Sequence, residues 1–480
     1  MNSFSVYSLG CKLNSLESEA IADSFCREGF SLLPWQASGL SSILIINTCT
    51  VTSMADQKAR RVIRKVLRER PEACVLITGC YAQLDKAALT ALAEEIPGSE
   101  RRLFVIPSEK KDSLLDLPRF IKETCFQKGN LEISLPDRIS SFFAEELVDY
   151  QGDGSFRYKP EKFSFHSRSF LKIQDGCDRS CSYCRVSIAR GKSRSLGKER
   201  ALDGILSLEE RCFSEAVLTG VNICQYSDGE TGLAGLLNFL LEGSKNIRLR
   251  LSSIEPEALD GDLIPVLKNP RIRPHFHLSV QSGSAAILEK MGRPYSPACV
   301  NKAIHDLRAI RDDPFLACDI IAGFPGESEK HFEETYELCE KAGFAWIHAF
   351  PFSPRPGTVA YTLPGGVNER EVSRRAERLV SLAGKGRRDY VKRWAAREVE
   401  AIIETSDKTT VKKLPQGYVP ATSENYLKLL VFHGREPAPA PGSLVRCRIQ
   451  VGIGTATLPS AFDAFADFVG WGQGDLQIFW

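Results

Sequence analysis

A chain of 480 residues is long enough for about three domains, and its 62 lysines and arginines nearly cancel 60 acidic residues, leaving a formal charge of +2. That balance excludes a bulk polycation, so any grip on nucleic acid must come from local patches. Apolar content of 43% and charged content of 25% are those of a globular protein, and no run nears the ~20 apolar residues of a spanning helix, so no membrane partner is expected.

Fifteen cysteines accompany an N-terminus, MNSFSVYSLGC, that lacks a basic segment followed by an apolar core. A cytoplasmic location is therefore expected, where clustered cysteines bind metal more often than they form disulfides. In chain order, the first third alternates strand and helix. Phe4–Ser8, Ile43–Ile46 and Cys74–Thr78 read as strands, and Ser15–Glu28, Met54–Arg70 and Leu84–Glu95 carry helical spacing after them. That alternation predicts a parallel α/β domain over residues 2–115, with the loops leaving the strands gathered along one edge. Each of those loops holds a cysteine: Cys11, Cys49 and Cys80. Singly, each reads as a small core residue; at one structural phase, the three are candidates to meet around one cluster. The helix after Cys49 presents Lys58, Arg60, Arg61, Arg64, Lys65 and Arg68, which is either a phosphate-binding face or an ordinary solvated one.

Residues 116–162 have mixed composition and read as a linker containing some helix. Over 163–395, strand-like segments recur at Phe170–Ile173, Ala216–Leu218, Ile247–Leu251, Phe276–Val280, Ala317–Ile321 and Trp346–Phe350, with amphipathic helices between most of them. This is the pattern of a full or partial (β/α) barrel with its chemistry at the C-terminal strand ends. The loop after the first strand carries Cys177, Cys181 and Cys184. Three thiolates in so short a loop can ligate three irons of a cubane cluster and leave the fourth iron open to a small molecule. A zinc site would want a fourth ligand that the loop lacks, and incidental thiols are the bland alternative. Later strand ends bear Gly220 and Asn222, Ser253 and Glu255, Gln281, and a Gly-Phe-Pro-Gly run shortly after Asp319. Such groups suit a ligand, although any one of them also suits a turn. Arg190 follows the cysteine loop, placed either to hold a phosphate or carboxylate or to face solvent.

Val372–Arg397 reads as a long basic helix. Residues 396–460 read as a small all-β barrel, a frequent RNA-binding addition, with strands at Glu398–Thr405, Tyr426–Phe432 and Leu444–Val451. The apolar, aromatic tail 461–480 matches no element.

Taken in order, SLGCKLNSLESEA, INTCTVTSMADQKAR, TGCYAQ, KIQDGCDRSCSYC, LTGVN, RLSSIEP, HLSVQSGS and DIIAGFPGE resemble the methylthiotransferases of the radical S-adenosylmethionine (SAM) superfamily. The resemblance covers roughly residues 2–455. It implies an N-terminal domain with an auxiliary 4Fe-4S cluster on Cys11, Cys49 and Cys80. It also implies a partial-barrel radical SAM domain with a second 4Fe-4S cluster on Cys177, Cys181 and Cys184, and a TRAM-like barrel that binds tRNA. By the family's strand-end pattern SAM would lie against Tyr183, Gly220, Asn222, Ser253, Glu255, Gln281 and Asp319. Arg185-Val186-Ser187-Ile188 stands where the family usually reads Ile-Ile-Pro-Tyr, while Arg190-Gly191 remains. An electron donor such as flavodoxin or ferredoxin and a sulfur source are implied as partners, with a tRNA anticodon loop as substrate. Within the family, Gly10-Cys11-Lys12-Leu13-Asn14, Glu17-Ser18 and Thr50 resemble the branch acting on N6-threonylcarbamoyladenosine. Lys12 or Arg190 would then pair with the substrate's carboxylate, and Arg61 and Lys65 with RNA phosphates. The alternatives are isopentenyladenosine in tRNA, an aspartate of a ribosomal protein, or a non-catalytic iron–sulfur RNA-binding or redox-sensing role.

Overall fold

A computed structural model describes residues 3–126, 133–144, 154–405, 414–434, 438–450 and 458–472. The first domain is a parallel sheet of β1 (Ser3–Ser8), β2 (Ser31–Leu32), β3 (Ile43–Thr48), β4 (Cys74–Gly79) and β5 (Leu103–Val105), in the order β2-β1-β3-β4-β5. Every residue of β3 and β4 is buried, as befits parallel strands with helices on both faces. Alternation along β3 sends Ile43 and Ile45 to one face, against helix α1 (Lys12–Arg27), and Leu44 and Ile46 to the other, against α2 (Ser53–Glu69). The helix expected over Leu84–Glu95 is two, Cys80–Leu84 and Lys86–Glu94, broken at Asp85.

The stretch 116–162, expected to be a linker, carries α3 (Leu117–Phe126) and α4 (Leu135–Ala144). Leu117, Ile121, Ile139 and Phe142 enter the same core as Phe4 and Ile45. The apolar residues lie at helical spacing and share a core with Ile21 and Phe25 of α1 and with the sheet, so these two helices complete the first domain's core.

The central domain is six parallel strands in sequence order: β6 (Ser169–Lys172), β7 (Glu215–Thr219), β8 (Arg248–Leu251), β9 (His275–Gln281), β10 (Phe315–Ala322) and β11 (Trp346–Pro351). Single bridges at Leu249–Ile272 and Ile254–Leu278 join the β6–β8 half to the β9–β11 half. Among the described residues β6 and β11 do not pair, so the barrel is partial and open on one side. The long helix α5 (Glu369–Arg393) follows, and then a closed barrel of β12 (Glu398–Ile403), β13 (Tyr418–Ser423), β14 (Lys428–Phe432), β15 (Leu444–Gln450) and β16 (Ala464–Trp471).

Two of these strands escaped the sequence reading. β13 was hidden by Pro420, and β16 lies in the unassigned tail, so the barrel extends beyond residue 460. β16 pairs parallel with β14 and antiparallel with β15, with a register shift at Arg446/Cys447 that blurs its period-two pattern.

The barrel docks under the central sheet through a buried ion network. Glu215, at the start of β7, receives Arg250 Nε and Nη2 at 2.6 and 2.9 Å and Arg273 Nε at 2.8 Å. Arg273 Nη1 reaches Glu400 of β12 at 2.8 Å, and Arg250 Nη2 also donates to the Ser423 carbonyl of β13. Burial alone would raise Glu215, but Arg250 and Arg273 override it and hold the carboxyl at about 2. Its folded pKa is thus depressed below the ordinary 4.5, so its contribution is present above about pH 4.5 and fades as pH falls toward about 2. Glu215→Gln leaves two buried guanidiniums without their anion and is expected to cost about 3–5 kcal/mol in urea unfolding at pH 7. Its stability should also fall less steeply than that of wild type between pH 5 and 2.5; parallel pH profiles would count against this role.

Candidate active site

Cys11, Cys49 and Cys80 sit where β1, β3 and β4 end, side by side in the sheet. The three thiols feel one another. Burial pushes Cys49 up to about 12, with Cys11 and Cys80 adding to the push, and burial raises Cys11 against the pull of Arg190. Gly10 makes the approach possible: at φ +103°, an added Cβ would lie 2.6 Å from Cys49 Cβ and 2.8 Å from its Sγ. Backbone N–H groups of Asn14 and Val51 point at the sulfurs of Cys11 and Cys49.

Cys177, Cys181 and Cys184 form the second set, on the loop that follows β6. Cys177 N–H donates to the Gly191 carbonyl and Ser182 N–H to that of Met291, and the Ser182 carbonyl accepts from Ala360 N–H at 2.7 Å. Within the loop, the N–H groups of Arg179 and Val186 donate to Cys177 and Cys184 sulfurs at 3.4 Å each. Burial, then the neighbouring Cys181 and Cys177, pushes Cys184 up to about 11.

Both sets fit iron–sulfur clusters. Each offers three soft donors that lose their protons on binding metal, with N–H groups already aimed at the sulfurs. Among the described residues no group of three His, Cys, Asp or Glu closes around a single ion.

The remaining expected site residues divide into two groups. Gly220, Ser253 and Asp319 line one cavity of about 1050 Å³, together with Cys11 and Lys12. His277, unremarked in the sequence, links two of them, with Nδ1 3.5 Å from Ser253 Oγ and Nε2 3.0 Å from Asp319 Oδ1. Tyr183 and Glu255 instead stand by the Cys177 loop, joined by Arg293. That guanidinium donates to both Glu255 oxygens at 2.9–3.0 Å and to Tyr183 Oη at 3.0 Å. Arg293 also escaped sequence reasoning; its one signal was a lone cation between Gly292 and Pro294. Asn222 turns back on its own loop, accepting from Cys224 N–H, and its N–H donates to Gln174 Oε1. Gln281 ends β9 buried, in a left-handed conformation at φ +62°.

Arg190 is not a free cation. It is nearly buried and donates to Glu17 at 2.9 and 3.2 Å, to Asp175 at 3.1 Å and to Asn14 Oδ1 at 3.0 Å. Lys111 and Lys172 join the same knot around Glu17. Burial would raise Glu17, but Arg190, Lys111 and Lys172 hold it well below the usual carboxylate range. Arg190 therefore ties the first domain to the second, a role invisible in sequence because its partner lies 173 residues away.

Lys12 is half-exposed, faces the cavity, and has no carboxylate in ion-pair reach among the described residues. Arg61 and Lys65 are exposed on α2, in a shallow groove with Arg60, Arg64 and Arg68. The basic segment of α5 is less available than its composition implied. Arg374 and Arg375 pair with Glu329 and Glu371, Arg387 with Asp463, and Arg393 with Asp313. Arg388 and Lys392 face the cavity.

Residues 3–98 match the model described as uncharacterized protein family UPF0004, and residues 171–339 the radical SAM superfamily. The threonylcarbamoyladenosine tRNA methylthiotransferase MtaB of Treponema pallidum (strain Nichols) is 37% identical, over 94% of this chain and 98% of its own. This chain belongs to the radical SAM methylthiotransferase family. The enzyme of the same name from Bacillus subtilis (strain 168) is 31% identical over 94% of each methylthiotransferase. A tRNA-2-methylthio-N(6)-dimethylallyladenosine synthase of Nitratidesulfovibrio vulgaris (strain Hildenborough) is 30% identical over 84% of this chain and 86% of its own. Among the described residues no helix of this methylthiotransferase is long and apolar enough to cross a membrane.

Replacing Arg190 by Met should leave Glu17 and Asp175 short of their cation in a dry junction. A loss of about 3–5 kcal/mol in urea unfolding is expected, with Arg190→Lys intermediate. A variant of unchanged stability that only raises the KM for RNA would return Arg190 to the substrate site.

Proposed function

We propose that this protein converts N6-threonylcarbamoyladenosine, the base just 3′ of the tRNA anticodon, to its 2-methylthio derivative. The observation that carries the reading is Lys12, one residue from Cys11 in the cavity shared with Ser253 and Asp319, with no ion pair among the described residues. A threonylcarbamoyl group brings a carboxylate that such a cation pairs with, whereas an isopentenyl tail offers Lys12 no charge to pair with. The relatives' names support the same substrate.

The hydrogen at adenine C2 is not acidic, so no side-chain base can open that position, and radical chemistry is what SAM and 4Fe-4S clusters supply when bound. In this reading Cys177, Cys181 and Cys184 hold the SAM-binding cluster and Cys11, Cys49 and Cys80 the auxiliary one. Gly220, Ser253 and Asp319 shape the space between SAM and base, Tyr183 and Glu255 brace the cluster loop through Arg293, and Asn222 and Gln281 set the turns at their strand ends. The target lies in a single-stranded loop, so its base reaches the cavity at little unpairing cost. Arg61 and Lys65 are offered as phosphate contacts. An electron donor of the flavodoxin or ferredoxin type, a sulfur source and a cytoplasmic location complete the reading.

Anaerobically reconstituted protein should hold about eight irons, two clusters of four. Replacing Cys177, Cys181 and Cys184 together by Ala should leave about half; loss of all the iron, or of none, would overturn the two-site assignment. For the substrate, mass spectrometry of tRNA nucleosides after deletion and complementation is decisive. Loss of methylthio-threonylcarbamoyladenosine with methylthio-isopentenyladenosine intact is expected, and the reverse would sink the reading. Lys12→Met should raise the KM for this tRNA about tenfold to a hundredfold, the worth of one charged hydrogen bond, with iron content unchanged.

A further inference from the structure

The open side of the central barrel has two elements that the reaction so far leaves unused. On β11, period-two alternation buries Ile347 and turns Trp346, His348 and Phe350 outward into the cavity. Trp346 is 37% and Phe350 38% exposed, uncommon for large rings on a strand whose other face is core. The rings form a row: Trp346 lies 6.0 Å from His348 edge-on, and His348 lies 6.3 Å from Phe350 and nearly parallel, at 15°. Beside it runs α5, packed against β11 with Arg387 5.9 Å from the Trp346 ring, and its Arg388 and Lys392, one helical turn apart, face the same space. At its far end the C-terminal barrel contributes Lys428. Five cations border the cavity, Lys12, Arg387, Arg388, Lys392 and Lys428, against two acids, Asp319 and Asp463, and Asp463 is already held by Arg387. The surface is therefore complementary to a polyanion that carries flat apolar faces.

We infer that β11 and α5 together form the wall of a track for single-stranded RNA, leading from the C-terminal barrel to the Cys11 end of the cavity. Trp346 and Phe350 stack the bases flanking the target, and Arg388 and Lys392 hold their phosphates. Stacking rings beside a cationic groove is how unpaired strands are gripped, because every base offers a π-face and every linkage a charge. The inference rests on the RNA substrate proposed above, and adds which part of that RNA is gripped and by which residues. An extended acidic peptide would satisfy the cations but leave the row of rings without flat partners.

The test uses the full-length reconstituted protein with a synthetic anticodon stem-loop, and a fully paired duplex of the same stem as the control probe. Wild type should bind the stem-loop more tightly than the duplex, with quenching of tryptophan fluorescence. Trp346→Ala with Phe350→Ala should weaken stem-loop binding about tenfold or more and remove most of that quenching, at wild-type iron content and thermal midpoint. Trp346→Phe with Phe350→Tyr, which keeps the rings, should restore affinity. Arg388→Glu with Lys392→Glu should weaken binding and flatten its salt dependence by about two contacts. If wild type binds neither probe, the RNA substrate falls and the track with it. If wild type binds the stem-loop and the double alanine variant binds it equally well, the track alone is overturned.

Discussion

Everything at the site depends on a buried knot of charge centred on Glu17. Its carboxylate comes from α1, the helix that starts just after Cys11, and Arg190 comes from the segment just after Cys184. Two cysteine sets that belong to different domains are thereby referred to one point. Asp175 and Lys172 extend the knot to the strand that feeds the second cysteine loop, and Lys111 and Asn47 extend it to the sheet that carries the first. In so dry a place the ions gain nothing by separating, because each would be left desolvated and unpaired. Surface pairs of the same residue types would not hold two domains in register. A second tie runs along residues 352–361. Arg355 reaches Thr50 and Asp56 just beyond Cys49, while Ala360 N–H meets the Ser182 carbonyl between Cys181 and Cys184.

The sheet-edge logic explains why much of the site was legible. A parallel βα repeat leaves only one place for the loops after its strands, so Cys11, Cys49 and Cys80 had to meet once their strands were recognised. The same reasoning placed Gly220, Ser253 and Asp319. What stayed hidden was whatever depended on a partner far away in the chain. Arg190 reads in sequence as an available cation, yet Glu17 spends its charge. Arg375 and Arg393 of α5 look like available cations until Glu327, Glu329 and Asp313 are brought against them. β16 was missed because a register shift breaks its alternation. The segment 116–162 reads as a linker containing some helix because its apolar positions find their partners in the first domain's core, far back in the chain.

The two ends of the central barrel are treated differently. Its lower rim is sealed by Glu215, Arg250 and Arg273, joined in one ion network, and Tyr426 lies over His275 with ring centroids 4.1 Å apart. Its open side keeps Lys12, Arg388 and Lys392, which make no ion pair among the described residues, while Arg387 pairs with Asp463 and Lys428 lies 3.9 Å from Glu404. The same residue types thus serve both ends, and what distinguishes them is whether a carboxylate sits opposite.

The order of elements along the chain has a consequence for biogenesis. Among the described residues β16 is the last element, and without it the C-terminal barrel has no strand between β14 and β15. During synthesis the two cysteine-bearing domains therefore emerge while the wall that contributes Lys428 is still unmade. The border that Lys428 and residues 458–463 give the cavity is thus the last part of it to be synthesised, after both cysteine sets.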